Sequence, residues 1–214
     1  PVNDDGVRNE RKAKVKKYAW LMAALLLVAL ARPVGAVVLL NHDAALKTMF
    51  PNADKVVTEA VALTADQIAA VKGRCGDKWT LYQSGAKTEE VAENDTVPFY
   101  FGTKDGKKTG VALMEMQPGK WGPVHYIVAL DLAGKVTNLA VMSYIEQRGR
   151  PISTKRFLGQ FIGKTSESPI QVGKDVDAVS GATISSRASA FAVKKVIALY
   201  EAVYLAPDEA ESEK

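Results

Sequence analysis

Val124-His-Tyr-Ile-Val-Ala-Leu-Asp-Leu132 and Val136-Thr-Asn-Leu-Ala-Val-Met-Ser-Tyr-Ile145 are joined by Ala133-Gly-Lys135. Both runs are rich in the β-branched and aromatic residues that suit a pleated, packed surface, and the Gly-containing link is short enough for a tight turn. Upstream, Val97-Pro-Phe-Tyr-Phe101 and Gly110-Val-Ala-Leu-Met-Glu-Met116 flank Lys104-Asp-Gly-Lys107, and Asp-Gly between apolar runs is a strong hairpin signal. Four strands linked by hairpins predict an antiparallel sheet and an α+β fold rather than a parallel one. His125 lies within a strand, where a lone His is ordinarily structural. Between the hairpins, Gln117-Pro-Gly-Lys-Trp-Gly-Pro123 reads as a turn-rich loop. Its Trp121 suits either a flat ligand or the core.

Helical patterns follow the sheet. Thr154 to Ile162 predicts a short helix with Phe157, Leu158 and Phe161 on its core face, closed by Gly163. Ser185 to Leu205 predicts a long amphipathic helix with apolar residues at 184, 188, 191, 196, 199 and 203, packed on the sheet. Directly before it stands Asp177-Ala-Val-Ser-Gly-Ala-Thr183-Ile-Ser-Ser186. Small hydroxyl residues at a helix start sit beside unpaired N–H groups and the positive end of the helix dipole, a natural place for an anion. Gly181 and Ala182 allow close approach, and Thr183 adds a hydroxyl. The plainer alternative makes Ser180, Ser185 or Ser186 an ordinary N-cap.

The order Asp177-x-x-Ser180-Gly181-Ala182-Thr183 resembles the flavinylation motif of the FMN-binding domain family. That domain occurs in the G subunit of Rnf complexes, the C subunit of the sodium-pumping NADH:quinone reductase and NosR-type regulators. The resemblance implies that a flavin transferase esterifies Thr183 to the phosphate of FMN. It also implies that Asp177, Ser180, Gly181 and Ala182 serve the transferase's recognition and part of the phosphate cradle. Ser185 and Ser186, at the helix start, are further candidates for cofactor binding. Tyr144-Ile-Glu-Gln-Arg-Gly-Arg-Pro151 and Arg156-Phe-Leu-Gly-Gln-Phe-Ile-Gly-Lys-Thr165 look like the segment that precedes the motif in NosR-like members. In the family this loop approaches the flavin, which brings Glu146, Arg148 and Gly149 into the expected site. A solvated charge cluster is the competing account of those residues. The resemblance spans roughly residues 97 to 205.

Charge is uneven along the 214 residues. Seven of the 28 Lys and Arg lie within residues 1–40 against three of the 24 Asp and Glu, which leaves 21 of each sign from residue 41 onward. A neutral body argues against nucleic acid as its partner. Residues 1–17 read as a cytoplasmic basic arm and Tyr18 to Leu40 as a transmembrane anchor, because about 20 apolar residues suffice to span a bilayer. Arg32-Pro33 interrupts that run, which favours packing against other membrane helices. A cleaved signal peptide with Val34-Gly-Ala36 as its cleavage site is the alternative. The anchor reading makes residues 41–205 an external FMN-binding domain of an inner, cytoplasmic-membrane protein with one span.

His42 and Asp43 open that domain, and Ala44 to Phe50 predicts a short helix before Met49-Phe-Pro-Asn-Ala-Asp54, which resembles the opening of NosR-like domains. Leu63 to Val71 predicts a two-turn helix with Thr64 and Gln67 as a capping box, stopped by Gly73 or Gly76. Lys87 to Asp95 is polar and loop-like. Residues 206–214 form an acidic tail of disordered composition. Cys75, the single Cys, excludes an internal disulfide and a cysteine-ligated cluster and reads as a passive thiol. Two His give metal binding little support, and no Ser/His/Asp or Cys/His constellation appears. The expected function is electron transfer with one covalent FMN between membrane redox subunits carrying iron–sulfur, haem or flavin centres. A flavin-containing regulatory module of NosR type is the alternative.

Overall fold

The computed structural model describes residues 37–76, 96–120, 122–145 and 150–206. Six strands form one antiparallel sheet: β1 (Val37–Val38), β2 (Lys55–Ala62), β3 (Thr96–Lys104), β4 (Lys107–Pro118), β5 (Pro123–Leu130) and β6 (Val136–Tyr144). Their order across the sheet is β1-β6-β5-β4-β3-β2. The four central strands are those the hairpin signals predict. At the β3–β4 turn, Asp105 and Gly106 both take positive φ, 50° and 74°, the geometry that matches the twist of adjoining strands. At the β5–β6 turn, Asp131 Oδ1 accepts the N–H groups of Ala133 (3.0 Å) and Lys135 (2.9 Å).

The sheet gains two edge strands that the sequence patterns did not announce. β2 pairs along its whole length with β3, from Lys55 opposite Thr103 to Ala62 opposite Thr96. β1 pairs Val37 with Tyr144 and Val38 with Ser143, and Met142 O accepts the N–H groups of Leu39 and Leu40. The final four residues of the apolar run from Tyr18 to Leu40 therefore belong to the sheet edge. The rest of that run, the basic arm, the polar stretch at 87–95 and residues 207–214 lie outside the described residues. Among the described residues, no helix is long and apolar enough to cross a membrane.

Helices cover both faces. α1 (His42–Met49) begins two residues before the predicted start because Asn41 caps it, accepting the N–H of Ala44 at 2.9 Å. It sits on the outer face, where Ala45 and Met49 pack with Ala112, Ile127 and Ala129. Phe50 follows and lies over Gly102, where a Cβ would meet its ring at 2.5 Å. α2 (Ala65–Cys75) carries the predicted capping box, with both Thr64–Gln67 bonds made, and ends at Gly76. It runs a turn longer than predicted, passing through Gly73.

α3 (Lys155–Leu158), capped by Thr154 and flanked by 3-10 turns at Arg150–Ser153 and Gly159–Phe161, buries Phe157, Leu158 and Phe161 as expected. The long helix α4 (Thr183–Tyr200) continues as a π-turn over Glu201–Leu205. α4 lies on the inner face against β4 and β5 in the main core. Nearly every residue from Ser185 to Tyr200 is buried, so its apolar face is far wider than the predicted stripe, while Ile184 is 50% exposed. Ser189 Oγ meets Tyr126 OH (3.0 Å) and Tyr200 OH donates to Leu132 O (3.1 Å). α4 therefore runs alongside β5 with its N-terminus at the Pro123 end.

Candidate functional site

The segment leading into α4 is held at three points. Asp175 comes first: its carboxylate accepts the N–H groups of Ile170 (3.0 Å) and Gln171 (2.7 Å) and pairs with Lys164 Nζ at 2.6 Å. These bonds hold Ile170, buried, at φ 45°, an unusual conformation for a β-branched residue. Burial alone would raise the Asp175 pKa, but the donors from Gln171, Lys164 and Ile170 outweigh it and hold the group below the usual carboxylate range. Next, Gln160 brackets Asp177, with Oε1 accepting its N–H (2.7 Å) and Nε2 donating to its carbonyl (3.4 Å).

The third point is the turn before the helix. Ala182 N–H donates to Val179 O at 2.9 Å across a turn whose Gly181 has φ +75°. Ser186 Oγ accepts the Val179 N–H and donates to Ala182 O, both at 3.0 Å. Ser186 is thus a buried latch between the turn and the first helical turn.

α4 begins two residues earlier than predicted, at Thr183, and its N-cap is Ala182, which has no side-chain capping bond. None of Ser180, Ser185 and Ser186 serves as the cap. The first intrahelical bond runs from Ser186 N to Ala182 O, so the N–H groups of Thr183, Ile184 and Ser185 lie ahead of it. Ser180, Gly181 and Thr183 are exposed together at this start, and Asp177 is exposed just upstream. Ser185 is 1% exposed, and its Oγ has no hydrogen-bond partner. The first turn holds no acid. The exposed Arg187, four residues after Thr183, shares its helix face. Sequence reasoning passed over Arg187, although its i+4 spacing from Thr183 was a usable signal.

The site therefore offers an exposed secondary hydroxyl beside orphan backbone donors, a positive helix end and a guanidinium, the surroundings an anionic ester needs. Glu146, Arg148, Gly149 and Trp121 lie outside the described residues. The neighbouring ends of β5 and β6 do lie at the same end of the sheet as Thr183, since Val124 pairs with Tyr144 there.

A separate cavity of about 640 Å³ opens where β3 and β4 diverge, lined in part by His42, Tyr100, Glu115, His125 and Leu199. β3 and β4 are paired only from Tyr100 opposite Ala112 to Lys104 opposite Lys107. None of the motif residues lines this cavity. Below the cavity Glu115 Oε1 meets Lys195 Nζ at 2.7 Å, and Gln117 Nε2 donates to the same oxygen at 2.7 Å. Burial raises the Glu115 pKa, opposed by Lys195 and Gln117. Burial likewise lowers that of His125.

The FMN-binding domain family matches residues 119–198, from the β4–β5 turn through most of α4. Over 125 residues the chain is 32% identical to the G subunit of the ion-translocating oxidoreductase complex of Aliivibrio fischeri MJ11, covering 53% of this chain and 60% of that protein. The corresponding protein of Shewanella oneidensis MR-1 is 27% identical over 121 residues, 51% of this chain and 57% of that protein. The chain spans about three fifths of the length of the curated relatives it matches. Among solved structures, NqrC of Shewanella oneidensis overlays with a TM-score of 0.47 at 15% identity, covering 72% of this chain and 82% of that one.

Proposed function

We propose that this chain, whose residues 119–198 match the FMN-binding domain family, is an electron-transfer subunit. In this reading FMN is joined covalently through Thr183 Oγ, and the chain passes electrons between neighbours in a respiratory-type membrane complex. The observation that carries this is an exposed Thr183 at the first position of an uncapped 18-residue helix, inside the matched domain. The names of the relatives, G subunits of an ion-translocating oxidoreductase complex, support the setting.

The residues fit such a group. Thr183 supplies the ester oxygen, and the N–H groups of Thr183, Ile184 and Ser185 supply donors for phosphate oxygens. Gly181 leaves open space beside them, since a Cβ there would meet nothing within 4 Å. Arg187 adds positive charge on the same face. Gln160 and Ser186 hold the turn so that the hydroxyl stays presented to a flavin transferase. FMN so bound supplies one- and two-electron redox chemistry, while the protein sets position and electrostatics. A covalent link suits a carrier that cycles without exchanging its cofactor.

The remaining elements of the proposal concern placement. The apolar run starting at Tyr18 serves as a single anchor in the cytoplasmic membrane, its basic flank inside and the flavin domain outside. A carrier with one flavin needs a donor and an acceptor on other proteins, here membrane subunits with iron–sulfur, haem or flavin centres. Solubilisation of native membranes in mild detergent tests this. The chain should co-migrate with proteins that carry those centres. Migration alone, with its flavin reduced at catalytic rates by a soluble donor, would make it a free-standing reductase instead.

A further inference from the structure

The outer face of the sheet concentrates soft metal donors. Both His of the chain and three of its five Met line the cavity at the β3–β4 split. The register brings three of these together. Met116 on β4 stands directly opposite His125 on β5. His125 in turn pairs with Ser143, Tyr126 pairs with Val141, and the shift between them leaves Met142 as the extra residue of a bulge beside His125. Directly opposed residues on one face have Cβ atoms about 4.5–5.5 Å apart, within reach of a shared ion for side chains as long as Met and His. Bulges re-aim side chains next to sites. Met114, two residues before Met116 on the same face, and His42, whose ring nitrogens meet Asp43 Oδ1 at 3.2 Å and Tyr100 OH at 3.4 Å, also line the cavity.

We propose that Met116, His125 and Met142, with Met114 or His42 as a fourth donor, bind a single Cu(I) ion in this cleft. Thioether sulfur and imidazole nitrogen are the ligand types that select a soft monovalent ion. No group of three or more His, Cys, Asp and Glu stands together among the described residues, so the cleft lacks the donor sets that hold zinc or harder cations. Glu115, which also lines the cavity, is bonded to Lys195 and Gln117 on the inner side. Met114, Met116, His125 and Met142 are half-buried rather than sealed in the core, which leaves an approach for the ion. Methionine on a sheet face also packs, and Met114 and Met142 do touch the outer core. The site is independent of flavin, because no motif residue lines the cleft.

Anaerobic titration of the full chain with Cu(I), against a chromogenic Cu(I) chelator as competitor, tests this. One equivalent should bind, and X-ray absorption should show sulfur and nitrogen neighbours. Outer-shell partners alone change metal affinity by about 10–100-fold, so Met116→Leu, Met142→Leu and His125→Ala should each weaken binding by at least that range. Met→Leu nearly conserves volume, and a melting curve for each variant confirms that the fold is kept. Thr183→Ala should bind Cu(I) as the wild type does. Absence of binding in competition, or Met→Leu variants that bind like the wild type, overturns the proposal. Equal affinity for Zn(II) with the same dependence on Met would also overturn it.

Discussion

Lys195 Nζ and Glu115 Oε1 lie 2.7 Å apart with both side chains almost fully buried, joining the helix that bears Thr183 to the central strand β4. Breaking a buried pair from one side strands a charge and costs about 3–5 kcal/mol, whereas replacing both partners with apolar residues of similar volume is often neutral or stabilising. Lys195→Ala should therefore lose that amount in urea denaturation, and Lys195→Met with Glu115→Leu should recover most of it. A single variant within about 0.5 kcal/mol of wild type would show that the pair does not hold α4 in place.

Asp175 organises the loop that delivers the motif. Its folded pKa lies below the unfolded value of 3.8, so its contribution to stability is present above that value and is lost as pH falls towards the folded one. Asp175→Asn should cost about 1–3 kcal/mol near neutral pH and flatten the acid limb of the stability profile. Stability that falls equally steeply with acid in the variant would rule out this assignment.

How far the sequence spoke depends on whether the signal was local. Turns carry their chemistry in adjacent residues, so Asp105-Gly106 and Thr64 with Gln67 announced a hairpin and a cap that the structure contains. β2 carries its β-branched residues at Val56, Val57, Thr58 and Val61 without strict alternation, and it is set by pairing with β3 rather than by its own pattern. β1 is two residues inside an apolar run whose composition equally suits a membrane. Nothing near Lys195 in the sequence betrays its burial, because its partner is 80 positions away. The motif pointed to a cluster of small residues at a helix start, and there Ser180, Gly181 and Thr183 are exposed while Ser185 and Ser186 face inward. Their orientation follows from the helix starting at Thr183 rather than later.

Gly181 allows the sharp turn into α4. With φ +75° and no atom within 4 Å of a built Cβ, Gly181→Ala meets only backbone strain, about 1–2 kcal/mol for a left-handed residue. The expected result is a folded protein of lower melting temperature with slower flavin incorporation in cells. Unchanged stability would mean the turn relaxes to another conformation.

Cys75 is held inert. Burial pushes its thiol up to about 11, with nearby Lys195, Lys194 and Arg74 only partly opposing. At pH 8 it should carry about a hundredfold less thiolate than an ordinary cysteine. Its reaction with a thiol reagent should be correspondingly slow in the native protein and fast in denaturant. Rapid native labelling would contradict the burial.

The most direct test of a covalent flavin at Thr183 is the intact mass of the denatured chain isolated from its native membrane, read beside its in-gel flavin fluorescence. The account predicts a wild-type mass raised by one FMN phosphoester and a fluorescent band, both absent from a Thr183→Ala protein that keeps the wild-type circular dichroism spectrum. An unmodified wild-type mass, or a fluorescent Thr183→Ala band, would contradict it.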